Sequence, residues 1–581
     1  MSRSGSLGRK LAPLLGLFCL YAGRDSLITR YPVGRRGGSL SFAQRTEPKT
    51  LNPALAADSA SREVIQLLHG DLIHINRETQ LSEPALAKSW NVSSDGLRYT
   101  LALRRGVSFS DGAPFDADDV VFSFQVYEDE AIGSPQHDLL ILNGKPIAVR
   151  KLDAYTVVFE LPAPYAAAER LFDSFFILPR HLLETAYREH KLAGAWNLET
   201  PPSLMAGLGP FRVKKYLPGQ RIVLARNPYY WKADAAGDQL PYLDEAVFEF
   251  AGGESAQVTR FLSGESDVLD RVSARDFTAL LRERERRGYT LRDLGPGMEQ
   301  SFLCFNLSPG HEGVWRSTEL RRAVSLAIDR DAIVRLVYLG HAAPLASPVP
   351  RGNRRWIDST LAPPARSLGR AREILGAARF SWARDGALLD SHLAPVEFSI
   401  VVSGGNPERL QMASLMQDDL KQLGITVHVI PLELRSLLDR VQRTRDFQAC
   451  LLSFASADAD PNPDMGIWLS SGANHLWNPE QKTPATAWES AIDALMHRQL
   501  VANGYAERKR LFDRVQEIVM ENLPLIPLVT PNVLVGAKAA LGNFHPAILS
   551  HYTLWNIEEL FWPGAGDGRG SQSGMSAVRS H

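Results

Sequence analysis

Leu410, Ala413, Met416, Leu420 and Leu423 recur at intervals of three and four residues, end at Gly424, and pass directly into the alternating Ile425, Val427 and Val429. An apolar stripe at helical spacing that runs into period-two alternation is a helix feeding a strand. The switch recurs nearby: Leu434, Leu437, Leu438 and Val441 form a helical stripe ahead of the apolar strand Cys450–Phe454. Upstream, Leu320, Ala323, Val324 and Ala327 mark a helix interrupted at Asp329, and a short helix over Ala332–Leu339 stops at Gly340. Glycine there supplies the left-handed backbone that ends a helix. Repeated alternation of this kind restricts the chain to an α/β architecture and predicts a largely parallel sheet covered on both faces. In such sheets a ligand site lies beyond the carboxyl ends of the strands.

The first half carries a second legible stretch. Leu97, Tyr99, Leu101 and Leu103 alternate with polar residues until Gly106, which is the period of a half-buried strand. Phe109 and Phe115 flank the turn dipeptide Asp111-Gly112, and Asp116 is placed to cap a helix whose apolar face is Val120, Phe124 and Tyr127. Strand, turn and capped helix in so short a span predict a mixed α/β unit.

At 581 residues the chain is long enough for several domains, and 45% hydrophobic with 22% charged residues is ordinary for packed globular cores. The formal net charge of -1 supplies no basic field for a polynucleotide or an anionic membrane, so no nucleic-acid partner is expected. Arg3, Arg9 and Lys10 precede the apolar run Leu11–Ala22, which closes on small residues. A basic head, a short apolar segment and a small-residue end describe a secretory signal peptide over residues 1–23, and the run is short for a membrane span. The alternative is a buried N-terminal helix, which Pro13 and the glycines of the segment suit poorly. Phe18 ahead of Cys19 is not the small residue that a lipoprotein anchor follows, so a soluble exported form is expected. Residues 24–38, rich in Arg and Gly, read as a flexible leader, and residues 563–581 as a disordered tail. Cys304 and Cys450 both sit in apolar strand-like runs. They are expected as buried free thiols, a disulfide being open to them only if their strands are neighbours.

No catalytic or metal-binding constellation emerges. Gly252-Gly253 and Gly404-Gly405 lack a phosphate-loop lysine, and the histidines form no His-x-x-x-His pair. There is no Cys-x-x-Cys and no Gly-x-Ser-x-Gly elbow. No catalytic residue, metal or cofactor is therefore expected. The carboxylate cluster Asp458, Asp460 and Asp464 follows the strand ending at Phe454. It is either a loop offered to a ligand or a solvated acidic turn. Among the dispersed tryptophans Trp90, Trp231, Trp468, Trp477 and Trp555, one or two are expected to line a cleft.

The run Ala85-Leu-Ala-Lys-Ser-Trp90-Asn-Val-Ser-Ser-Asp95-Gly96-Leu-Arg-Tyr99-Thr-Leu resembles the signature of the bacterial family 5 solute-binding proteins. So does its continuation, Leu103-Arg-Arg-Gly106-Val-Ser-Phe109-Ser-Asp111-Gly112-Ala-Pro114-Phe115-Asp-Ala-Asp118-Asp119-Val120. Glu47-Pro48-Lys-Thr-Leu51-Asn52-Pro53, Gly207-Leu-Gly209-Pro210-Phe211, Asn227-Pro228-Tyr229-Tyr230-Trp231 and Ala327-Ile-Asp329-Arg330 follow in the family's order.

The resemblance implies a two-lobed, periplasmic-binding-protein type II-like fold of three domains. Residues 39–79, 203–298 and 522–562 would form the first lobe, 80–202 an inserted domain and 299–521 the second lobe. It further implies an exported, monomeric binding subunit, periplasmic or at the cell surface, that closes on a peptide or peptide-like solute and delivers it to an ABC permease. Asp58, Ser61 and Arg62 would line the cleft from the first lobe. In peptide-binding members the late loop carries an Asp for the peptide's α-ammonium. Registering on Asp460-Pro461 puts Phe454 at that pattern's Trp and Ala457 at its Asp, with Asp458 one residue on. A buried ammonium without its partner costs several kcal/mol, so a non-peptide ligand such as an oligosaccharide or metal chelate stays open. An exported hydrolase, or a chaperone or sensor on the same fold, is a more distant reading.

Overall fold

The computed structural model describes residues 25–29, 31–456 and 458–564. The expected signal peptide, Ala457 and residues 565–581 lie outside the described residues.

Strand Ser39–Gln44 is the axis of an eight-stranded sheet, because it is parallel to a neighbour on each side, Glu245–Phe250 and Val268–Leu269. Beyond Glu245–Phe250, Arg221–Arg226 and Phe211–Leu217 add antiparallel strands. On the other flank come Val529–Lys538 and Tyr289–Pro296, with Ala342–Pro344 pairing to the start of Val529–Lys538. Helix α1 (Ser59–Leu68) packs beside Phe211–Leu217 and buries Val64, Ile65, Leu67 and Leu68. The flexible leader was expected over residues 24–38; its described residues include several tied to this lobe. Leu27 and Ile28 run parallel to Lys232 and Ala233, and Arg36 Nη2 donates to Gln239 O at 2.6 Å.

The inserted unit holds a four-stranded antiparallel sheet in the order Ala87–Val92, Arg98–Leu103, Thr156–Glu160, Ala148–Asp153. Helix α2 (Ala117–Glu128) covers it, and Phe124 meets Phe159 edge-on at 4.8 Å. The core of this unit also takes in Leu72, Ile73, Leu208, Tyr230 and Trp231 from the first lobe. The insertion is therefore fused to its base.

The second lobe is built on the strand order Thr426–Leu432, Glu397–Ser403, Ala449–Ala455, Glu299–Phe305, Leu525–Pro527. Helix α3 (Pro407–Lys421) connects Glu397–Ser403 to Thr426–Leu432 as the period switch predicted, and those two strands and Ala449–Ala455 are parallel. Glu299–Phe305 and Leu525–Pro527 are antiparallel to their neighbours. Both large sheets are thus mixed, which corrects the expectation of a largely parallel one. The two antiparallel strands are the entry to the lobe and the exit from it. Their direction follows the route between lobes rather than a helical crossover. The chain leaves the first sheet at Gly297-Met298 and returns at Leu528, since Leu525–Pro527 still pairs in the second sheet. That return is later than the Asn522 expected. Helix α4 (Tyr505–Asn522) precedes it. Cys304 and Cys450 face each other in antiparallel register; both are buried free thiols, and burial with the neighbouring sulfur pushes the Cys304 thiol up.

Candidate functional site

Where the two lobes and the inserted unit meet, a cavity of about 440 Å³ opens, a size within the range of small-ligand pockets. Arg62, Ile65, Gln66 and His69 present one face of α1 to it, as spacing by three and four requires. The end of α1 is held by close backbone packing. A Cβ at Gly207 would lie 1.9 Å from Leu68 O, and one at Gly209 would lie 2.5 Å from Leu67 O. The Gly-x-Gly of the sequence is thus a steric requirement for seating this helix end. His69 stacks on Trp196 at 5.5 Å, and burial pushes its pKa down to about 3, so it is neutral. His551 is held neutral in the same way, with Arg77 adding to the effect of burial.

The cavity wall is mixed, and most of its buried charges are paired by the protein itself. His74 Nδ1 lies 2.8 Å from Asp71 Oδ2 and 3.3 Å from Asp173 Oδ1, while Arg77 Nη2 donates to Asp173 Oδ2 at 2.9 Å. Burial alone would depress His74; the two carboxylates override it and push the imidazole up to about 9. Asp71, His74 and Asp173 bring three possible metal-ligand atoms within 4.8 Å of one another. The protonated imidazole and the Arg77 guanidinium already balance both carboxylates, so the trio is a completed ion network and suits a metal poorly. Lys232 Nζ pairs with Glu558 Oε1 at 2.7 Å, and the lysine stays charged despite burial because of that carboxylate.

Of the site residues expected from sequence, Arg62, Asp458 and Asp460 line the cavity. Asp458 is held by Arg170 of the inserted unit, whose Nε donates to Oδ2 at 2.7 Å and whose Nη2 donates to Oδ1. Asp460 receives both η nitrogens of Arg508 on α4, at 2.7 and 2.8 Å. Burial beside these two aspartates pushes Asp464 up to about 6. Asp58 caps α1, accepting from Ser61 N at 2.9 Å and from Ser61 Oγ at 2.8 Å, and Ser61 is fully buried. Phe454 packs on Phe302 with ring centroids 4.8 Å apart. None of these last three lines the cavity. Trp231 and Trp555 do line it, whereas Trp468 and Trp477 are core residues and Trp90 donates to Glu169. Sequence reasoning missed Asp71, His74, Arg77, Arg170, Asp173, Lys232 and Glu558. The one signal for any of them was that Lys232 follows the motif ending at Trp231.

The lobes touch across this cavity. Besides Arg170–Asp458, Gln80 Nε2 donates to Gly352 O at 3.1 Å and Ala166 N to Leu500 O at 2.8 Å. Arg170 Nη1 also donates to Gln80 O at 3.1 Å, which couples two of these links.

A family model described as bacterial extracellular solute-binding proteins, family 5 Middle, matches residues 82–475. The chain belongs to this family. The family 5 chain is 27% identical to a probable ABC transporter-binding protein of Deinococcus radiodurans, over 86% of this chain and 87% of the relative. It is also 27% identical to the probable ABC transporter periplasmic-binding protein SapA of Escherichia coli, over 85% and 87%. Among solved structures, the substrate-binding protein CtaP of Listeria monocytogenes superposes with a TM-score of 0.75 at 22% identity, covering 91% of this chain and all of that one. The oligopeptide-binding protein AppA of Bacillus subtilis, in complex with a nonapeptide, gives 0.67 at 23%, covering 91% and 100%. The fold of this family 5 member is thus the type II periplasmic-binding-protein arrangement. Among the described residues no helix is long and apolar enough to cross a membrane.

Proposed function

We propose that this protein is the extracytoplasmic, monomeric solute-binding subunit of an ABC importer. It captures a peptide or peptide-like solute between its lobes and hands it to a membrane permease. The observation that carries the reading is the cavity enclosed jointly by first lobe, inserted unit and second lobe, with direct links between lobes around it. A ligand filling such a space touches every part at once and favours the closed arrangement over the open one. The peptide transport periplasmic protein SapA of Salmonella typhimurium, and AppA and DppA in complex with peptides, support a peptide-like cargo.

Mass spectrometry of the native protein, purified from an exported location, is expected to show a bound peptide-sized solute. Small-angle scattering is expected to show a smaller radius of gyration with that solute than without it. An unchanged radius at saturation would overturn capture by closure.

A further inference from the structure

One wall of the cavity comes from ahead of Glu47, where the family's motifs begin. Leu27 lines the cavity, and the residues around it form a strap that is fastened at each end. Asp25 N donates to Arg105 O at 3.0 Å, and the Asp25 carboxylate accepts from Lys88 Nζ at 2.8 Å and from Arg105 N at 3.2 Å. These partners belong to the inserted unit. Leu27 and Ile28 then run parallel to Lys232 and Ala233 of the first lobe, and Thr29 N donates to Ala233 O at 2.9 Å. Pro32 O accepts from Asn543 Nδ2 at 2.8 Å. The strap therefore crosses the seam where the inserted unit meets the first lobe.

Successive residues of an extended segment point to opposite sides. Ile28 is 51% exposed, whereas Leu27 packs against the core that holds Leu208, Tyr230 and Trp231. Trp231 is itself fixed, with Nε1 donating to Leu208 O at 3.3 Å and the Arg104 guanidinium over its ring at 5.2 Å. Resting on the peptide reading above, we propose that residues 25–29 seal this seam and that Leu27 is a specificity-determining residue, setting how large a solute the cavity accepts. Leu27 carries no charge and no hydrogen-bonding group, so it acts through volume. A close-packed wall feels the addition or loss of a few carbons directly. Both fastenings lie on units that share one core, so the wall is in place before the second lobe closes. The solute presents an apolar group to it, beside Trp231 and Leu208.

Equilibrium dialysis of the intact protein against random tripeptide and pentapeptide pools, read by mass spectrometry, tests this. Leu27→Trp is expected to lower retention of the tripeptide pool roughly tenfold, the effect of overfilling a packed site. Leu27→Ala is expected to raise the ratio of pentapeptide to tripeptide retained by about threefold or more. Ile28→Trp, on the outer side of the strap, is expected to leave both pools within about twofold. All three variants are checked for an unaltered melting temperature. No effect from either Leu27 variant, or an equal effect from Ile28→Trp, overturns the Leu27 assignment. Thiol labelling without peptide separates this result from a failure of the peptide reading. Cys304 and Cys450 are fully buried, so a charged thiol reagent reports on Leu27→Cys and Ile28→Cys, each located by mass spectrometry. Labelling at position 27 is expected to be at least about tenfold slower than at position 28. Equal rates overturn the sealed seam. Retention of no pool by the parent, with the labelling contrast intact, overturns the peptide reading and leaves the sealed seam standing.

Discussion

Asp458 and Asp460 are two residues apart in one loop, and both are bound bidentately by arginine, yet the pairs do different work. Asp460 and Arg508 are 3% and 7% exposed and join the loop to α4 within the second lobe. Arg170–Asp458 joins the inserted unit to the second lobe. His74 shows how burial and neighbours compete at one residue. Its folded pKa of about 9 lies above the ordinary 6.5 because Asp71 and Asp173 outweigh burial. A raised pKa means that the native state holds the proton more tightly than the unfolded chain. Its contribution to stability is therefore full below about pH 6.5 and lost as pH rises through 9. Glu63, pushed up to about 8 chiefly by burial, acts in the same direction. The melting temperature is expected to fall between pH 7 and pH 9.5, and His74→Gln to flatten that fall by on the order of 2 kcal/mol. An identical pH profile in the variant would remove His74 from the account.

At the level of elements, α2 was legible in detail because its determinants are adjacent in the chain. Asp116 Oδ1 accepts from Asp118 N at 2.8 Å, and Asp119 Oδ2 accepts in return from Asp116 N at 3.0 Å. The second half of that capping box lies three residues from the first, so sequence alone could place the helix start. Asp116→Ala is expected to cost about 1 kcal/mol, read as a lower denaturant midpoint at unchanged slope. No change would mean that Asp119, which also accepts from Arg180 N at 3.0 Å, holds the helix start alone. Strand direction was less legible. Glu299–Phe305 and Ala449–Ala455 are far apart in sequence and pair antiparallel. Periodicity reports which face of a strand is buried, but not which strand lies beside it or which way that strand runs.

For the whole molecule, the proposed function divides closure between the ligand and the protein's own links. The Arg170–Asp458 pair, with Gln80 and Ala166 contributing hydrogen bonds, connects the inserted unit to the second lobe. Arg170→Gln removes one charge of a largely buried pair, which elsewhere costs about 3–5 kcal/mol. Here the penalty is escaped by opening, so it is expected as a larger radius of gyration of the empty protein, with little change in the melting temperature of the second lobe. An unchanged radius would place the hold on closure in the Gln80 and Ala166 contacts.

By itself the sequence determined the α/β class, the helix that runs into a strand at Gly424, the cap at Asp116, the family resemblance along most of the chain, and Arg62 and the late acidic loop as site candidates. Those features depend on neighbours a few residues away, or on motifs that survive as contiguous runs. Only the tertiary structure decided the mixed pairing of the sheets, the pairing of Leu27 and Ile28 with Lys232 and Ala233, the place of Asp58 in a helix cap and of Ser61 and Phe454 in packing beside the cavity lining, and the partners of the paired charges in the cavity. Arg170 and Asp458 are 288 residues apart, and a charge pair at that separation leaves no periodic or spacing signal. Its existence depends on where two lobes and an insertion come to rest.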